Sequence, residues 1–150
     1  MVTQILNKVN NCLNNLQSVG LFFARMLLAY GFYEPAINKF SDIQGISTWF
    51  ASLGIPFPLL NAYAATYTEI FGVILLVLGL FTRYISFLLI MVLTVAIMTV
   101  HFANGFSVGN NGFEIPLYYI SFLIILMGFG AGKISLDHII KRKFYENTAS

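Results

Sequence analysis

Few side chains in this sequence could do chemistry, and most of those that could are set in apolar surroundings. In Ala62-Tyr63-Ala64-Ala65-Thr66-Tyr67-Thr68-Glu69-Ile70-Phe71-Gly72 one carboxylate interrupts a stretch that otherwise reads as a membrane-spanning helix. Arg25, Glu34 and His101 stand in similar runs. A helix over 61–81 puts Ala62, Ala65, Glu69, Gly72, Leu76 and Gly79 on one face. Small residues mark where membrane helices approach closely, so Glu69 is expected to point into the protein and away from lipid.

Magnitudes decide whether such a helix inserts. A charge at a helix centre costs about 2.5 to 3.5 kcal/mol, and each Leu, Ile, Val or Phe returns about 0.3 to 0.6. Ten such residues follow Glu69, from Ile70 to Phe81, so the helix can carry the acid. At about 1.5 Å per residue Glu69 lies roughly 12 Å below the outer surface, Glu34 roughly 9 Å and His101 roughly 5 Å. Arg25 lies roughly 22 Å down, from where its long side chain could reach toward Glu69. Nine residues separate Arg25 from Glu34, which puts them on opposite sides of a straight helix.

Two acids and a histidine thus converge in the outer half, above a guanidinium. His101 shares a face with Thr94, Met98 and Asn104, and Tyr30, Tyr33, Tyr63 and Tyr67 lie at similar depths. Acid, base, hydroxyl and aromatic groups around an apolar space suit a proton-coupled quinone site: a proton partner for each quinone oxygen, and rings to stack on the head group. Glu69, Glu34, Arg25 and His101 are the candidate catalytic groups, and Tyr30, Tyr67 and Asn104 are candidates for holding the cofactor. Plainer readings stand beside these. An Arg–Glu pair could simply clamp two helices. His101 could be a solvated loop-end residue, and the tyrosines an interfacial belt. Glu34, Glu69 and His101 are metal-ligand types, but no spacing within one helix supports a metal site.

The elements that must position these groups follow from composition. Of 150 residues, 58% are hydrophobic and 9% charged, against about 25% charged in a soluble domain. The chain therefore reads as an integral membrane protein, all-α, with a mean hydropathy of +0.80. At about 20 apolar residues per span it holds about four spans: 19–40, 61–81, 84–102, and a fourth that opens at Pro116 and ends near Gly128. Pro35 should kink the first. Ile46, Trp49, Phe50 and Leu53 predict a short interfacial helix over 44–53, between spans 1 and 2. Residues 104–112 are a loop by composition.

Three segments result: 1–18, where Ile5, Val9, Cys12, Leu16 and Val19 allow a surface helix; 19–132, the membrane domain; and 133–150, a tail with the basic run Lys141-Arg142-Lys143. Lys8, Arg83, Lys133, Lys141, Arg142 and Lys143 fall on one side of such a four-span chain and only Lys39 on the other. Both termini are therefore expected in the cytoplasm. The single cysteine excludes an intramolecular disulfide. Arg25, Tyr30 and Tyr33 argue against a cleaved signal peptide, so the first span is expected to be retained. A net charge of +2 with no basic, aromatic-interleaved patch speaks against nucleic acid.

Leu27-Leu28-Ala29-Tyr30-Gly31-Phe32-Tyr33-Glu34-Pro35-Ala36 with Lys39, then Trp49-Phe50 and Leu53-Gly54-Ile55-Pro56-Phe57-Pro58, resemble the DoxX family of small bacterial membrane proteins. So do Glu69-Ile70-Phe71-Gly72, Leu78-Gly79-Leu80-Phe81-Thr82-Arg83 and Asn111-Gly112-Phe113-Glu114. The likeness covers about 21–137. It implies a four-helix bundle in the bacterial inner membrane, related to a subunit of thiosulfate:quinone oxidoreductase. Arg25, Glu34 and Glu69 then match the family's polar core. His101 and Glu114 fall at polar positions, which adds Glu114 to the cofactor-binding candidates. The function expected is a quinone-linked redox protein or redox-complex subunit. A non-catalytic anchor that docks a soluble partner through 133–150 is the alternative. Copies of the chain could associate through the Gly72 and Gly79 face.

Overall fold

In a computed structural model, which describes residues 2–148, the chain is all-helical among the described residues. Helix α1 (Val2–Ser41) is followed by α2 (Ile43–Ser52), α3 (Pro58–Leu78) and α4 (Thr82–Ala96). The last continues as a π-helical turn (Ile97–His101) and a 3-10 turn (Phe102–Asn104), and a short 3-10 turn (Val108–Asn110) precedes α5 (Glu114–Phe129) and α6 (Leu136–Thr148). Among the described residues two helices, Pro58–Leu78 and Thr82–Asn104, are long and apolar enough to cross a membrane, and Glu114–Phe129 is a shorter apolar helix.

Helix α1 runs unbroken through Pro35, and through the boundary expected near residue 18. The side chains of Ile5, Val9 and Cys12 lie outside the described ones; Leu16 and Val19 are exposed. Along α1 the buried residues are Ser18, Leu21, Arg25, Leu28, Ala29, Phe32 and Ala36, spaced by three or four apart from the neighbours Leu28 and Ala29, which is one helical stripe. On α3 the buried set is Ala62, Thr66, Glu69, Gly72 and Leu76, close to the small-residue face expected.

These two stripes face each other. Helix α1 packs on α3, α3 on α4, α4 on α5, and α5 returns to α1. The core joins Leu28 and Phe32 of α1, Leu76 of α3, Leu89 and Leu93 of α4, and Leu123 and Leu126 of α5. Two glycines set the close approaches. A Cβ at Gly31 would collide with the ring of Tyr119, and one at Gly72 would press on Leu89 at 2.9 Å. Gly72 is thus spent on packing inside the chain, and a bulkier residue there would push α3 from α4. The outward surface is apolar instead: Leu27, Phe71, Ile74, Phe87, Met91, Val95, Met98 and Ile124 are exposed, far more than a soluble monomer leaves open.

Helix α2 begins at Asp42, whose carboxylate accepts from the Gly45 N–H at 2.8 Å, and it lies along α3 with Trp49 exposed. The basic segment 133–150 contains α6. Its Asp137 carboxylate accepts from the Phe81 and Thr82 N–H groups at 2.9 and 3.2 Å, and its own N–H donates to the Gly79 carbonyl at 3.0 Å. The first turn of α6 therefore caps the start of α4.

Candidate functional site

Glu69 is buried on α3, and its partner is Lys39 near the end of α1. The ammonium lies 2.6 Å from each carboxylate oxygen, and the lysine side chain keeps 18% of its surface exposed. This differs from the partner expected. Arg25 does not reach Glu69, because it is bound elsewhere. Its Nη1 donates to the carbonyls of Leu76 at 2.8 Å and Val77 at 3.3 Å, and its Nη2 donates to the carbonyl of Ile134. Leu76 lies seven residues beyond Glu69, roughly 11 Å along α3, which is too far for one side chain to serve both.

The Arg25 arrangement follows from how α3 ends. Gly79 adopts φ +64 and Leu80 donates to the Leu75 carbonyl at 3.0 Å while Gly79 donates to Leu76 at 3.3 Å, the bonding of a Schellman close. The remaining carbonyl capacity of Leu76 and Val77 points at Arg25, where the negative end of the helix dipole favours a cation. A Cβ at Gly79 would strike both Ser135 and the guanidinium. The ring of Phe22 lies 5.6 Å from the guanidinium carbon. Arg25 Nε and Thr82 Oγ1 are buried with no partner among the described residues.

The other candidates are dispersed. Glu34 is exposed: five residues from Lys39, it sits about 140° around α1 from the paired side chain, so it does not join Glu69. His101 ends the π-helical turn, and its Nδ1 meets the Asn111 carbonyl at 2.8 Å, which makes that nitrogen the donor. Asn104 donates to the carbonyls of Val100 and Asn111 at 3.2 and 3.3 Å. Glu114 accepts from the Val108 N–H at 2.9 Å and the Tyr118 hydroxyl at 3.1 Å. His101, Asn104 and Glu114 thus tie down the loop between α4 and α5, together with Gly112, whose Cβ would strike Phe106.

Tyr67 stacks on Tyr63 with centroids 6.1 Å apart and leans on Phe71. Tyr30 is exposed, and with Met26, Ala29, Tyr33, Val73 and Val77 it lines a groove of about 280 Å³ between α1 and α3. Val73 lies one helical turn from Glu69, so this groove continues the seam that holds the ion pair. Its walls are apolar apart from the two tyrosines. Among the described residues no three His, Cys, Asp or Glu side chains are grouped to hold a metal.

Lys39 is the functional candidate that the sequence reading passed over. It continues the buried stripe of α1, three residues beyond Ala36, but as a cation near a helix end it was counted with the surface charges.

An all-helical chain with an apolar exterior and charges held on an internal helix seam defines a class of small membrane proteins. The sequence profile of one family, DoxX, matches residues 20–102, more than half of the chain. The chain belongs to the DoxX family. An uncharacterized protein of Haemophilus influenzae is 34% identical over 84% of this chain and 86% of its own length. The inner membrane protein YphA of Escherichia coli is 34% identical over 78% of this chain and 87% of its own. A putative oxidoreductase of Bacillus subtilis, CatD, is 29% identical over 77% of this chain and 84% of its own. No solved structure matches.

Proposed function

We propose that this DoxX-family membrane protein is a four-span inner-membrane bundle serving a quinone-linked redox reaction. In it the Lys39–Glu69 pair handles protons beside the α1–α3 groove. The observation that carries this reading is a buried carboxylate near the middle of an apolar helix, 2.6 Å from the ammonium of a lysine at the end of another. Glu69 stands about 16 Å from the first residue of α3 and about 14 Å from the last, the most expensive depth for a charge. A carboxylate that takes up a proton from a bound molecule becomes neutral and leaves the positive charge on the ammonium; Lys39 keeps 18% of its side chain exposed, so water can solvate the charge that remains. A quinone would supply two-electron, two-proton chemistry. Tyr30 and Tyr33 offer it hydrogen bonds, and the walls from Met26 to Val77 offer apolar contact and exclude water.

Alpha1, α3, α4 and α5 are the four spans in this reading, with both termini cytoplasmic by the distribution of Lys and Arg. The name of the Bacillus subtilis relative and the inner-membrane placement of the Escherichia coli relative support it. The test uses the purified full chain in nanodiscs with a soluble ubiquinone analogue. Quinone-dependent spectral change is expected in the native protein. In a folded Glu69→Gln variant the linked rate should fall by about a hundredfold or more, the usual worth of a positioned proton donor. An unchanged rate sinks the proton role.

One observation favours a second reading, a non-catalytic membrane anchor. Two cations of α1 are engaged by α3, the buried Arg25 on its carbonyls and the half-buried Lys39 on Glu69, as a clamp would require. Helix α6 with Lys141, Arg142 and Lys143 would then dock a soluble partner. Under this reading Glu69→Gln unfolds the protein in detergent.

A further inference from the structure

A second groove lies away from the ion pair. Arg83, Tyr84, Phe87 and Leu88 of α4 and Met127 of α5 enclose about 500 Å³ of open space, with Arg83 at one end. Everything below Arg83 in this groove is aromatic or aliphatic. Tyr84, Phe87 and Leu88 are each nearly half exposed or more, so no other part of the described chain covers them. Arg83 itself has no hydrogen-bond or ion-pair partner among the described residues; its Nε lies 3.4 Å from where a Cβ on Gly130 would stand. Asp137 is close in sequence terms to the same turn through its bonds to Phe81 and Thr82, but both its oxygens are engaged there. A guanidinium unpaired among the described residues, at the end of an apolar channel, is complementary to one kind of molecule: an anionic head group on a long hydrocarbon chain.

We infer that the α4–α5 groove is a binding site for an anionic phospholipid, with the phosphate on Arg83 and an acyl chain along Phe87, Leu88 and Met127. Tyr84 stands at head-group level, where an amphipathic ring is favoured. The occupant is placed in the membrane by its acyl chain, and the cation selects it from neutral lipids. This inference rests on the reading of α4 and α5 as membrane spans.

The test compares thermal stability of the purified full chain in detergent on addition of phosphatidylglycerol or phosphatidylcholine, with lipid retention read by native mass spectrometry. Phosphatidylglycerol should be retained and protective in preference to phosphatidylcholine. Arg83→Gln should lower that preference about fivefold, the factor expected for one basic residue at an anionic surface. Leu88→Trp, at an exposed position where folding is not at stake, should fill the groove and reduce retention of both lipids. Glycerophosphoglycerol, which has no acyl chains, should not protect. Equal retention of the two lipids by the native protein, an Arg83→Gln preference equal to the native one, or protection by glycerophosphoglycerol would each overturn the site. Release of the protein from membranes by alkaline carbonate would instead overturn the spanning assignment, so the two failures are distinguishable.

Discussion

Two charged places on the α1–α3 seam solve the same problem in different ways. At the α3 C-terminus a guanidinium faces backbone carbonyls, and near the middle of α3 an ammonium faces a carboxylate. The first pairing satisfies groups that the helix end must satisfy somehow, with a side chain that keeps its proton at any physiological pH. The second pairing satisfies nothing that the backbone requires. Well-packed apolar residues often replace a buried ion pair without loss, so the pair is not a requirement of the helix packing in the way that the carbonyl cap is. Arg25 therefore reads as a structural bolt, while Lys39 and Glu69 are the pair available for chemistry.

Substitutions can break this contrast. The largest loss is expected for Arg25→Met, which takes one of two donors from the Leu76 carbonyl and strands the carbonyls of Val77 and Ile134, at about 4 kcal/mol. Its melting temperature in detergent should fall furthest of the set. Lys39→Met leaves Glu69 without its partner and should cost about 2 kcal/mol by the same melting measurement, because protonation relieves part of the burden. Gly79→Ala meets both a left-handed φ and the guanidinium, for about 1.5 kcal/mol. The double variant Lys39→Met/Glu69→Leu should stay within about 1 kcal/mol of the native protein while losing quinone-linked activity. If the double variant melts as low as Arg25→Met, the distinction between bolt and reactive pair collapses.

Much of this was legible in the residues. The face of Ala62, Glu69, Gly72 and Leu76 followed from helical spacing alone, as did the short helix before α3, and the loop after Asn104 followed from composition. Partner choice was not, since two cations on α1 are long enough to approach Glu69 and only the relative register of α1 and α3 selects Lys39 over Arg25. The stripe of Arg25, Leu28, Phe32 and Ala36 does point at Lys39 three residues on, which is the signal that was available. Helix α6 was hidden because its sequence is polar. Its contribution is a cap, delivered by Asp137 to backbone groups 55 and 56 residues away, and no local pattern announces such a contact. Likewise His101, Asn104 and Glu114 share a loop whose ties run between backbone and side chain across several residues, which composition cannot order.

The most direct test of the reactive pair is an infrared difference spectrum of the reconstituted protein, recorded between oxidised and reduced quinone. A carboxyl band present in the native protein and absent from folded Glu69→Gln is the expected result. Identical spectra from the two proteins would contradict a proton-handling Glu69 and leave the Lys39–Glu69 pair as a second bolt.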